Sequence, residues 1–164
     1  MTDRGPGLRR TTLGDLAVPF VVIGVAVYIL LRWSYDSIPQ MQYVVVAPLA
    51  ALAVIEFVVS RRVRAAVRHD PDARLMTAIA IARCVALGKA TALVAAGVLG
   101  AALGIVARTA PDADTVTAAA HDTRVGVLLA VVAALLIGAG LLLERSGIDP
   151  GSDDDRNEGS RGRF

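Results

Sequence analysis

Residues 82–104 read Ala-Arg-Cys-Val-Ala-Leu-Gly-Lys-Ala-Thr-Ala-Leu-Val-Ala-Ala-Gly-Val-Leu-Gly-Ala-Ala-Leu-Gly. The stretch is apolar enough to lie in a bilayer, yet Arg83 and Lys89 stand at its start. A charge at the centre of a membrane helix is costly, about 2.5–3.5 kcal/mol on insertion scales. Such a side chain needs a partner, a wet cavity, or an interface to which its long stem can reach. The polar start and the glycine face further along make this the segment around which the other apolar runs should pack.

Those other runs fix the class. The chain has 164 residues, 55% of them hydrophobic but only 4% aromatic. The apolar residues gather into four runs, each close to the ~20 residues that span ~30 Å of hydrocarbon. A soluble core helix needs no run so long. The spans are expected at about 13–31, 43–59, 83–107 and 125–143. The expected fold is all-α: an integral membrane antiparallel four-helix bundle over 13–145, after a cytoplasmic N-terminal segment at 1–12. Residues 146–164 are rich in Asp, Gly, Ser and Arg, and are expected to be a disordered cytoplasmic tail.

The N-terminal segment is basic and resembles the start of a signal peptide, but the apolar run behind it is long for an h-region. Arg-Trp-Ser-Tyr-Asp follows that run with no small-x-small cleavage site, so it reads as a first span. Pro19 and Pro48 fall in early turns of their spans, where a missing N–H matters least. Trp33, Tyr35 and Tyr43 flank the first connection, as expected of rings at a membrane–water boundary. The apolar run from Leu75 to Ala107 is too long for one crossing. Its first part should extend the helix at the interface, with Arg83 at the boundary and Lys89 one to two turns deeper.

Orientation follows from the cations. Twelve Arg residues lie in the N-terminal segment, the second connection and the C-terminal end from Arg145 onward, against three (Arg32, Arg108, Arg124) in the other two connections. Basic residues favour the cytoplasmic side, which places both termini inside, as an even number of spans requires. The arginine clusters are therefore a topology signal, not a nucleic-acid signal, and nucleic acid is not an expected partner. The expected surroundings are a lipid bilayer, with the basic loop Arg61, Arg62, Arg64 and Arg68 available to anionic lipid headgroups or to a membrane or cytoplasmic protein.

Three sets of residues stand out. Glu56, Arg83 and Lys89 form an intramembrane polar set. Glu56 and Arg83 should lie at similar depth, so an ion pair is expected. Arg83 and Lys89 are six residues apart, about 240° around a helix, so one carboxylate does not serve both. Gly97, Gly100, Ala101 and Gly104 share one helix face, and Ala134 and Gly138 are spaced four apart on the last span. Small residues let membrane helices approach closely, either within the bundle or at a seam between copies in a homo-oligomer. His121 and Asp122 lack a further His or Cys at ligand spacing, and His69 falls on the other side of the membrane. No metal and no cofactor are expected, and Asp122 reads as a carboxylate at a helix start. The single Cys84 permits no intrachain disulfide. No Walker, dinucleotide, His-Glu-x-x-His or Gly-x-Ser-x-Gly motif is present, which disfavours an enzyme and leaves an accessory or scaffold protein, or a small transporter or channel subunit.

Several stretches carry a resemblance: Ala82-Arg83, Gly88-Lys89-Ala90-Thr91-Ala92, Ala119-Ala120-His121-Asp122-Thr123, and Leu141-Leu142-Leu143-Glu144-Arg145 with Pro150 and Asp153-Asp154-Asp155 behind it. Glu56 and Arg61-Arg62-Val63-Arg64 fit as well. The chain resembles a family of small actinobacterial four-span membrane proteins catalogued as a domain of unknown function, often encoded beside folate-biosynthesis genes. The match departs at His121, where that family carries an acid. The resemblance implies a plasma-membrane protein and supplies no activity and no catalytic residue.

Overall fold

The computed structural model describes residues 11–34, 41–67 and 77–146. Helix α1 is Leu13–Ser34, α2 is Val46–Val67, α3 is Ala78–Thr109 and α4 is Thr117–Ser146. Short 3-10 turns, Tyr43–Val45 and Ala110–Asp112, precede α2 and follow α3. No strand occurs among the described residues. All four helices, with their adjoining turns, are long and apolar enough to cross a membrane.

Local chemistry sets the helix starts. Thr12 caps α1 in a reciprocal box with Asp15: the Thr12 N–H donates to Asp15 Oδ2 (2.9 Å) and the Asp15 N–H donates to Thr12 Oγ1 (3.3 Å). Thr77 caps α3, its Oγ1 accepting the Ala80 N–H at 3.3 Å. Two helices run well past the expected spans. α2 continues to Val67, so Arg61, Arg62 and Arg64 ride on its last turns rather than in a loop. Arginine and alanine are strong helix formers, and nothing before Asp70-Pro71 breaks the run. α4 starts at Thr117, so most of the expected third connection is helix. Here Ala118, Ala119 and Ala120 extend the helix outward, and its inward face is already set before the long apolar run begins. The expected tail at 146–164 lies outside the described residues, apart from Ser146.

The helices are not equivalent. α3 and α4 pack most extensively on each other, α1 packs on α3, and α2 packs on α4. α1 and α2, consecutive in sequence, thus flank a central α3–α4 pair. Chain direction alternates, so α3 and α4 are antiparallel while α1 runs parallel to α3. Leu16 lies against Ala92 and Ala96, and Gly24 meets Gly100 and Gly104. α2 likewise runs parallel to α4, with Val46 packed among Val125 and Leu129. Most of α1 faces outward, through Val18, Val21, Val22, Val25, Ile29 and Leu30. In lipid that surface carries no penalty, and helices associate through close packing rather than a hydrophobic drive.

Glycine supplies that packing at two crossings. A Cβ on Gly88 would stand 2.7 Å from the Gly140 carbonyl oxygen, and a Cβ on Gly140 would stand 2.7 Å from that of Gly88. On the other side of α3, a Cβ on Gly100 would fall on the Phe20 carbonyl, and one on Gly104 would stand 2.6 Å from the Gly24 oxygen. α3 therefore touches α4 and α1 backbone to backbone. α2 contains no glycine and is held by side chains.

Candidate functional site

Among the described residues, the most deeply buried charged side chain is on α2. Glu56 of α2 is 1% exposed, and neither carboxyl oxygen has a hydrogen-bond partner among the described residues. Thr91 of α3 is its polar neighbour across the interface. That hydroxyl is itself buried, and donates its proton to the Leu87 carbonyl at 3.0 Å. Ser60 lies one turn beyond Glu56 on the same face of α2 and is buried too. Its hydroxyl donates to the Phe57 carbonyl at 2.8 Å. Each hydroxyl has one proton, and both protons are bound to carbonyls of their own helices. The Glu56 carboxyl is thus unpartnered, with the Thr91 hydroxyl beside it turned to the carbonyl of its own helix.

The expected ion pair is not there. Arg83 is exposed near the start of α3 and Lys89 is half-buried further along it, and Glu56 hydrogen-bonds neither. The reason lies in the packing order. α2 docks on α4 and only grazes α3, so equal depth does not bring the Arg83 side chain to the Glu56 face.

Of the small-residue set, Gly97, Gly100 and Gly104 are buried and face α1, with Gly97 against Ile23 and the other two against the α1 backbone. Ala101 is half-buried at the edge of that face. An open apolar groove of about 280 Å³ follows the same seam, lined by Phe20, Val25, Tyr28, Gly100, Leu103 and Gly104. Ala134 and Gly138 behave differently. Both are exposed, and nothing lies within 4 Å of a Cβ built on Gly138. In the basic set Arg61, Arg62 and Arg64 are exposed, with the Arg61 guanidinium 4.9 Å over the Phe57 ring. Arg68 lies outside the described residues.

Four polar contacts were not expected. At the end where α1 begins and α4 stops, Glu144 is buried and its Oε1 accepts the Thr11 N–H at 2.7 Å. At the opposite end Asp122, also buried, accepts the Met41 N–H through Oδ1 at 3.1 Å. His121 Nε2 lies 3.0 Å from the Met41 carbonyl oxygen and donates to it, and its ring meets Tyr43 edge-on at 5.1 Å. The pair grips both polar groups of one residue just before α2. Between α3 and α4, the Thr109 and Thr123 hydroxyls are 2.7 Å apart. Asp122 is thus a clasp for the preceding connection and not a residue at a helix start. Helical spacing holds the signal for both acids: Asp122 precedes buried Gly126 by four, and Glu144 follows buried Gly140 by four. No group of three or more His, Cys, Asp or Glu able to hold a metal ion occurs among the described residues.

No curated protein and no solved structure matches the chain. A family model does: the one described as "Protein of unknown function (DUF3180)" matches residues 16–150. The match begins inside the first turn of α1, ends just beyond α4, and so covers nearly all of the helical assembly described above. This chain, a multi-pass membrane protein of four helices, belongs to that family.

Proposed function

We propose that the protein is a non-enzymatic accessory or scaffold protein of the plasma membrane, with both termini cytoplasmic and its basic end seated on anionic lipid headgroups. The observation that supports this is the exposed row Arg61, Arg62 and Arg64 on the last turns of α2. Arg83 and Arg145 are exposed at the same end of the bundle. At the other end, Arg108 is engaged by Asp112 at 2.7 Å. Each basic residue near an anionic surface contributes about 1 kcal/mol, so the three α2 arginines together favour anionic lipid by a few kcal/mol.

The test is purification from native membranes in mild detergent, followed by mass analysis of retained lipid and protein. Wild type should retain anionic lipid that the Arg61→Gln, Arg62→Gln, Arg64→Gln variant loses. Equal retention by both would overturn the lipid contact. A stoichiometric protein partner lost by the variant would move the basic end from lipid to protein.

A second reading is a small transporter or channel subunit with a polar site toward the basic end. Its supporting observation is the buried, unpartnered carboxyl of Glu56, since intramembrane acids without a structural partner mark ion and proton pathways. On this reading Lys89→Met inserts normally and abolishes function. On the accessory reading Lys89→Met is tolerated.

A further inference from the structure

Glu56, Ser60 and Thr91 form a set of oxygens that lacks one component. The two hydroxyl protons are committed to Phe57 and Leu87 carbonyls, and the carboxyl oxygens accept from no described group. A buried anion with no donor is strongly disfavoured. What the set lacks is a positive charge. The charged groups at this end of the elements packed around it are Arg61, Arg62 and Arg64 on α2 itself, Arg83 and Lys89 on α3, and Glu144 and Arg145 on α4; none hydrogen-bonds it.

We infer that Glu56 is a proton-binding site inside the membrane-spanning bundle, with Thr91 Oγ1 as the acceptor of the bound proton. The chemistry balances without a co-reactant: the carboxylate takes one proton, and the resulting O–H donates to the free lone pair of Thr91. A proton is the cation that fits, because each carboxyl oxygen exposes under 1 Å² and adjoins no water-sized space. An alkali cation would need room and several converging oxygens.

Exchange with bulk requires α2 to shift against the α3–α4 pair. α2 is the helix suited to do so. Its start is clasped through Met41 by His121 and Asp122, and it has no glycine contact to lock the remainder. This inference stands apart from the lipid-contact reading, since it concerns a different face of α2.

The experiment uses the full chain in lipid nanodiscs, with glutamate carboxyls labelled with carbon-13. The chain has three glutamates, Glu56, Glu144 and Glu158, so the spectrum is sparse. Infrared or NMR titration with pH should show a protonated carboxylic acid that disappears as the pH is raised. Glu56→Gln should abolish that signal, while Glu144→Gln and Glu158→Gln leave it. Thr91→Val should shift it by removing the acceptor. If Glu56→Gln does not fold, the wild-type titration compared with the other two variants still assigns the signal. The absence of any protonated glutamate at every pH at which the helices persist would overturn the inference. So would a Glu56 signal that responds to sodium in place of choline at constant pH, which would assign an alkali cation instead.

Discussion

Replacing Gly88 with Ala is a quantitative test of the packing order. A Cβ at Gly88 would stand 2.7 Å from the Gly140 carbonyl oxygen, 3.0 Å from the Leu143 Cβ and 3.1 Å from the Glu144 N, where ordinary contact begins near 3.4 Å. The obstacles are two backbone atoms and a Cβ, not a flexible side-chain end, so the helices must part by about 0.7 Å along the first contact, from the difference between 3.4 and 2.7 Å. A radial gap of ~0.5–1 Å forfeits a quarter to a half of each atom pair's dispersion well. With the strain of overpacking, the cost is about 1–3 kcal/mol. Gly→Ala in a helix interior returns up to about 1 kcal/mol of propensity. The net expectation is a loss of about 1–2 kcal/mol. Gly138→Ala is the control on the same pair of helices. Nothing lies within 4 Å of its Cβ, so only the propensity gain remains and stability should hold or rise slightly. Both variants are compared with wild type by denaturant unfolding in detergent micelles, followed by helical circular dichroism. Gly140→Ala should match Gly88→Ala, and the double variant should cost less than the sum because one contact is removed twice. A stable Gly88→Ala, or a Gly138→Ala as damaged as Gly88→Ala, would refute the close α3–α4 crossing.

Substitutions at three further positions separate clasp from ornament. Asp122→Ala frees the Met41 N–H and should cost about 1–3 kcal/mol, the range for leaving a buried donor unsatisfied; hydrogen exchange over residues 41–45 should rise while α3 stays protected. Glu144→Ala removes the acceptor of the part-buried Thr11 N–H and should cost about 1 kcal/mol, with protease access appearing at the start of α1; Glu144→Gln, which keeps an acceptor oxygen, should restore protection. Asp112→Asn removes the partner of Arg108 in a part-exposed i,i+4 pair, so unfolding should move by under about 1 kcal/mol; a larger loss would show that the turn between α3 and α4 depends on that charge.

The class of fold was legible from run length alone, because lipid demands long uninterrupted helices and the sequence has four. The glycine face of α3 was legible too, since Gly97, Gly100 and Gly104 follow helical spacing whatever they meet. What they meet was not. Helical spacing names a face and cannot say whether it turns to α1, to α4 or to a second copy. The Glu56–Arg83 expectation failed for the same reason. Equal depth in neighbouring spans implies contact only if consecutive helices pack together, and here α2 packs on α4 and only grazes α3. The structural roles of Asp122 and Glu144 were not legible from charge alone, because they depend on helical phase. Both sit on the buried face of α4, where a carboxylate is kept only if a backbone N–H comes to meet it.

That contrast gives Glu56 its significance. The other two buried acids each receive a backbone N–H, at 2.7 Å for Glu144 and 3.1 Å for Asp122. Those acids hold the ends of the chain's long elements in place, and burying them achieves anchorage. Glu56 anchors nothing among the described residues, although it is more deeply buried than either. A methionine or leucine would fill the same volume without the penalty of a buried carboxyl, and would serve structure better. Position adds to the argument. α1, α3 and α4 are joined by glycine contacts that tolerate little displacement, whereas α2 meets them through side chains. The unsatisfied acid therefore sits where α2, which has no glycine of its own, meets that glycine-joined unit. If Glu56 gains and loses a proton as inferred, the change of charge would alter how α2 packs there, and the arginines on its last turns would carry that change to the membrane surface.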